Sequence, residues 1–164
     1  MALTAAIEET EMTSSTVNAV TIRKAGDADL PAIETLLTDS HLPTVGVQDA
    51  LNGFLVAEAD RRIVGVVGME QCGQYGLLRS TAVAPEWRGR HVAKQLVDRI
   101  IASAESQGVQ ALYLLTTTAE QYFPSFGFRV TPRETVPADV RETEEFRDAC
   151  PASATVMCLP LNAA

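Results

Sequence analysis

The stretch richest in chemistry in this 164-residue sequence is Ser80 to Val97, STAVAPEWRGRHVAKQLV. A strand-like run ends at Val83, a loop holding Pro85 follows, and helical spacing of apolar residues begins near Gly89. The first turn of a helix offers backbone N–H groups without carbonyl partners, together with the positive end of the helix dipole. A phosphate or diphosphate is therefore at home there. Arg88 and Arg90 add positive charge and charge-assisted donors beside Gly89. An Arg-Gly-Arg between strand and helix is equally a common solvated turn, so these residues alone leave both readings open.

A second group lies just upstream. Glu70 stands late on the apolar run Arg62 to Cys72. A carboxylate in that position is either a solvated strand end or a proton acceptor, directly or through water. Arg79 falls within the hydrophobic stretch Leu77 to Ala84, where a guanidinium is costly unless paired. It either bonds Glu70 structurally or receives the carboxylate of a substrate. The thiols of Cys72, Cys150 and Cys158 suit soft metals and metalloids by type. They are widely spaced, form no C-x-x-C pair, and have no metal-ligand spacing with His41 or His91, so no metal is expected.

The elements that must position these groups follow from periodicity. Val20 to Arg23 reads as a strand, and Asp27 or Asp29 caps a helix carrying Pro31, Ile33, Leu36 and Leu37. Pro43 and Gly46 end it, and a short helix is expected over Gln48 to Leu51. Phe54 to Ala57, Arg62 to Cys72 and Leu77 to Ala84 read as strands, the last two joined by a turn at Gly73 to Gly76. Val92, Ala93, Leu96, Val97, Ile100, Ile101 and Ala104 form one helical stripe closed by Gly108. Ala111 to Thr116 then reads as a buried parallel strand reached by a right-handed crossover. A short helix over Ala119 to Ser125, a helix over Ala138 to Ala149 and a strand over Val156 to Leu159 complete an α/β fold with a mixed sheet.

Composition sets the outer limits. Hydrophobic residues make up 46% and charged residues 21%, as in ordinary globular proteins. Residues 1–18 read as a flexible tail and 19–164 as one domain. A net charge of -8 repels nucleic acid and anionic membranes, so neither is expected as a partner. No apolar run is long enough to span a bilayer, and the first 19 residues lack the basic start of a signal peptide. Three scattered cysteines fit a reducing cytoplasm. A homodimer stays open.

The Arg88–His91–Ala93 spacing, the Ala-Val-Ala-Pro lead-in and Tyr122-Phe123-Pro124-Ser125-Phe126-Gly127-Phe128 resemble the GNAT superfamily of N-acetyltransferases. Its diphosphate loop is usually R/Q-x-x-G-x-G/A, and here His91 replaces the central glycine. The resemblance implies a mostly antiparallel sheet splayed between its fourth and fifth strands, with flanking helices. It also implies acetyl-CoA as co-substrate and a small-molecule amine as acceptor. The diphosphate would meet Arg88, Gly89, Arg90, His91, Val92 and Ala93, and the pantetheine arm would run beside Ala82 and Val83. The tyrosine that many members use as general acid is replaced by Phe123, so Ser125 or a water is the substitute. At finer resolution, Leu77 to Ser80, Leu114 to Glu120, His41 to Thr44 and the Cys150-Pro151-Ala152-Ser153 tract resemble the arsenic-resistance N-acetyltransferase subfamily. That implies an arsenic-containing or amino acid-like metabolite as acceptor. The same Leu-Leu-Thr-Thr tract resembles N-acetylglutamate synthase domains, which makes amino-acid acetylation the alternative. A non-catalytic acetyl-CoA-binding regulatory module is a further one.

Overall fold

A computed structural model describes residues 20–117, 119–143, 146–147 and 153–161, with the backbone of residues 5 and 6. In chain order the elements are β1 (Thr21–Lys24), α1 (Leu30–Asp39), β2 (Phe54–Ala59), β3 (Arg62–Cys72), β4 (Tyr75–Val83), α2 (Val92–Ser106), β5 (Ala111–Thr116), β6 (Arg129–Val130), α3 (Ala138–Arg141) and β7 (Thr155–Pro160). The strands lie side by side as β1-β2-β3-β4-β5-β7-β6. Every pair in that path is antiparallel except β4 with β5. This is the expected mixed α/β sheet with flanking helices.

Two-residue turns join the first hairpins. Asp60 and Arg61, both at positive φ, connect β2 to β3 in the left-handed manner that matches strand twist. Gly73, at φ 63, and Gln74 connect β3 to β4. The expected four-residue turn is therefore shorter, because Tyr75 and Gly76 already pair with Cys72 and Gln71.

Strand β4 carries the feature on which the site depends. Val66 opposes Ala82 but Gly68 opposes Arg79, so β4 holds one residue more than β3 across that interval. Ser80 absorbs it as a bulge, at φ 60. On its other edge β4 pairs with β5 only from Tyr75 to Leu77, opposite Ala111 to Tyr113. Beyond Leu77 the two strands part, while β5 continues to Thr116 against β7. The splay between the fourth and fifth strands is thus present, and the bulge re-aims β4 just past the point of separation.

The core is built on both sheet faces. Val92, Leu96, Val97 and Ile100 are buried on one stripe of α2, as the spacing predicts. Gly65 lets that helix lie close: a Cβ there would meet Leu96 Cδ1 at 2.9 Å and Val92 Cγ1 at 3.0 Å. Leu96→Ala would cost about 2–5 kcal/mol through lost burial and cavity formation. A second cluster, with Leu77, Tyr113, Val136 and Val140, packs around β5, β7 and α3.

Four expected helices differ from the observed ones. In place of a helix over Gln48 to Leu51 there are turns and a 3-10 segment, Leu51–Gly53. Gly53 approaches the Met69 carbonyl so closely that a side chain has no room. The helix expected over Ala119 to Ser125 is a 3-10 turn, Phe123–Phe126, ended by Gly127 at φ 102. Helix α2 starts at Val92 rather than near Gly89, because Gly89 and His91 both have left-handed backbone, at φ 77 and 62. The helix expected over Ala138 to Ala149 is interrupted after Arg141, and Phe146 and Arg147 are helical again, with Arg147 N–H donating to the Thr143 carbonyl at 3.0 Å. Thr143 Oγ1 donates to the Val140 carbonyl at 2.8 Å and accepts from Phe146 N–H at 3.3 Å, so a side chain competes for helical bonds. Residues 148–152, including Cys150 and most of the Cys-Pro-Ala-Ser tract, lie outside the described residues. So does the expected tail, apart from residues 5 and 6.

Candidate active site

The loop expected to meet a diphosphate begins where β4 stops at Val83. A 3-10 turn, Pro85–Trp87, leads into Arg88, whose Nε donates to the Val83 carbonyl at 3.0 Å. That bond ties the guanidinium to the end of the strand. Trp87 is buried and carries the Arg90 guanidinium over its ring, 4.9 Å from the centroid. This cation–π contact orients a charge that would otherwise swing freely in solvent. Gly89 and His91 then turn the chain into α2. The first bond back along the helix is Gln95 N–H to the His91 carbonyl, at 3.1 Å. The N–H groups of Val92, Ala93 and Lys94 therefore have no carbonyl one turn earlier within the helix. His91, at the N-cap, keeps its own backbone N–H in place of the usual glycine's. Oriented N–H groups and two anchored arginines suit a diphosphate.

The next part is the released half of β4. Ser80 to Val83 are all buried, and Thr81 Oγ1 is buried with no hydrogen-bond partner among the described residues. Such a hydroxyl is normally satisfied. Ala82 and Val83, expected beside the pantetheine arm, lie in this half of the strand.

On the acceptor side, Glu70 and Arg79 come together although their backbones are not paired. Glu70 opposes Leu77, and Arg79 opposes Gly68. Arg79 is fully buried. Its Nη1 donates to Glu70 Oε1 at 3.3 Å, its Nη2 to the Val45 carbonyl at 2.6 Å and its Nε to Ser80 Oγ at 3.0 Å. The bracing alternative is thus realised, and the same side chain holds the loop between α1 and β2. Glu70 remains 30% exposed. It opens onto a cavity of about 500 Å³ that Gly46, Asp49, Asn52 and Arg79 also line.

Phe123, at the position expected for the acid, is fully buried against Phe128 and beside Tyr122. Ser125 is exposed, and its hydroxyl donates to the Tyr122 carbonyl at 2.8 Å. Cys72 is buried, and burial, with the charges of Glu70 and Asp139, pushes its thiol up to about 12. Burial also raises the Cys158 thiol, beside Tyr113. Neither has the raised acidity of a nucleophilic cysteine. Among the described residues no group of three or more His, Cys, Asp or Glu side chains could hold a metal, and no helix is long and apolar enough to cross a membrane.

Sequence reasoning missed the Trp87–Arg90 stacking, the Val45 contact and the unpartnered Thr81 hydroxyl. Only the first had a local signal, an aromatic three residues from an arginine. The other two depend on a distant loop and on strand separation.

Comparison with known proteins shows the family. The family description "Acetyltransferase (GNAT) domain" matches residues 50–130. The amino-acid acetyltransferase of Mycobacterium tuberculosis is 30% identical over 134 residues, covering 73% of this chain and 74% of that protein. The amino-acid acetyltransferase of Pseudomonas fluorescens (strain Pf0-1) is 32% identical over 87 residues, 52% of this chain but 20% of the relative. The chain thus spans only about a fifth of that longer protein. N-acetylglutamate synthase from Neisseria gonorrhoeae, solved with coenzyme A and N-acetyl-glutamate, has the same fold with a TM-score of 0.76. There the match is 21% identical and covers 89% of this chain and 36% of the other. The chain belongs to the GNAT family of N-acetyltransferases.

Proposed function

We propose that this chain transfers the acetyl group of acetyl-CoA to the amine of a small amino acid. The observation that carries the reading is the released half of β4, flanked by the α2 N-terminus on one side and the Glu70–Arg79 cavity on the other. When bound, acetyl-CoA supplies the activated acyl group. Arg88, Arg90 and the backbone N–H groups from Gly89 to Ala93 hold its diphosphate, and the edge at Ala82 and Val83 aligns the arm, with a β4 N–H available to the thioester carbonyl. Glu70 takes the proton from the incoming ammonium, directly or through a water in the cavity. Arg79 positions Glu70 and fixes the loop carrying Val45. Arg79 also lines the cavity, and a substrate carboxylate bound to its guanidinium would compete with these partners for it. With Phe123 in the acid position, the departing thiolate takes its proton from water or from Ser125.

The relatives named as amino-acid acetyltransferases favour an amino acid over an arsenic-containing metabolite, whose case rests on short sequence likenesses alone. The net charge of -8 disfavours a nucleic-acid acceptor, and the scattered cysteines fit a reducing compartment. Release of free CoA thiol, followed across a panel of amino acids and arsenical amino acids, tests the reading. Turnover with an amino acid is expected. Turnover with arsenicals alone transfers the function to resistance, and acetyl-CoA binding without turnover makes the chain a regulatory module.

A further inference from the structure

The edge of β4 assigned above to the pantetheine arm is in contact with another part of the same chain. Ala5 and Ala6 form a short parallel strand against it, Ala5 opposite Thr81 and Ala6 opposite Ala82. Ala82 is already paired with Val66 of β3 on its other side. A strand has only two hydrogen-bonding edges, so Ala5–Ala6 lies on the edge that β5 leaves at Leu77. We infer that this edge is a binding site for an extended peptide strand, that its occupant is Ala5–Ala6, and that the occupant competes with acetyl-CoA. This inference rests on the cofactor path given under Proposed function.

The competition follows from shared geometry. An extended peptide added to an open edge gains main-chain hydrogen bonds without needing particular side chains. A pantetheine arm laid along the same residues would use the same N–H and C=O groups. Both cannot bond Thr81 and Ala82 at once. The pairing is only two residues long, and each hydrogen bond has a small net worth. It is therefore weak enough to be displaced by a ligand that also engages the α2 N-terminus. The cofactor affinity is lowered by the fraction of molecules in which the edge is free. The segment acts as a built-in competitor, raising the acetyl-CoA concentration needed for turnover and leaving the saturated rate alone.

The test uses the full chain and titrates acetyl-CoA by calorimetry. An Ala5→Pro/Ala6→Pro variant removes the backbone N–H groups of the segment, including the one that faces β4. An Ala5→Val/Ala6→Val variant favours the extended pairing. The proline variant is expected to bind acetyl-CoA about three- to tenfold more tightly than the natural sequence, and the valine variant more weakly. The KM for acetyl-CoA should follow the same order, with kcat unchanged. Equal affinities in all three proteins would overturn the competition and leave the cofactor path standing. Weaker binding by the proline variant would also overturn it, by making the segment part of the cofactor site. Absence of acetyl-CoA binding in every variant would overturn the cofactor path, and the competition with it.

Discussion

At the end of β4 proposed for the diphosphate, between Val83 and Ala93, the groups offered to a ligand are backbone N–H groups and two arginines from one short loop. At the acceptor end, Glu70 comes from β3, Arg79 from β4 and the Val45 carbonyl from the loop before β2. The first arrangement is local: any chain that stops a strand, turns through left-handed residues and starts a helix builds it. The second is an agreement between distant parts of the sequence, in which a fully buried cation is the common partner. A change in the first should therefore impair binding with little effect on the fold. A change in the second should impair both.

The largest expected effect is at Arg79. Arg79→Met leaves Glu70 and the Val45 carbonyl without their partner, and urea unfolding should show a loss of about 3 kcal/mol, the lower end for breaking a buried ion pair because Glu70 is partly exposed. Arg79→Lys keeps the charge but loses the planar fork, so it should lower thermal stability and activity together. Unchanged stability with a raised KM for the acceptor would instead assign Arg79 to substrate. At the other end, Arg88→Ala should weaken acetyl-CoA binding by about 1.5–3 kcal/mol by calorimetry, with a much smaller effect on unfolding.

The smallest effect belongs to a pair outside both ends. Arg23 donates from Nη1 and Nη2 to Asp29 at 2.8 and 2.9 Å and holds its carboxyl below the usual carboxylate range. Because the folded pKa is the lower one, this stabilisation is present above the unfolded value of about 4 and is lost as the pH falls through the folded value. Asp29→Asn should cost about 1 kcal/mol at neutral pH, discounted because Arg23 is 38% exposed. The difference should disappear in strong acid, and turnover should not change.

The same contrast explains what the sequence made legible. The α2 stripe and the β3–β4 hairpin rest on local spacing and were readable from residue order, whereas left-handed backbone at Gly89 and His91 moves the expected helix start to Val92. The short helices were not. Gly53 against Met69 and Thr143 against Val140 are contacts that periodicity does not encode. At the acceptor end, the sequence limited Arg79 to two roles but could not choose, since Val45 is 34 residues away. The Ser80 bulge was hidden because nothing but pairing register reveals an extra residue in a strand.

Amide hydrogen exchange with and without CoA tests the central claim most directly, read from Gly89 to Ala93, away from the Ala5–Ala6 pairing. If this turn and the start of α2 hold the diphosphate, CoA should slow exchange there by at least tenfold, and Arg88→Ala should reduce the protection. CoA binding with no change from Gly89 to Ala93, and with protection confined to another surface, would contradict the account.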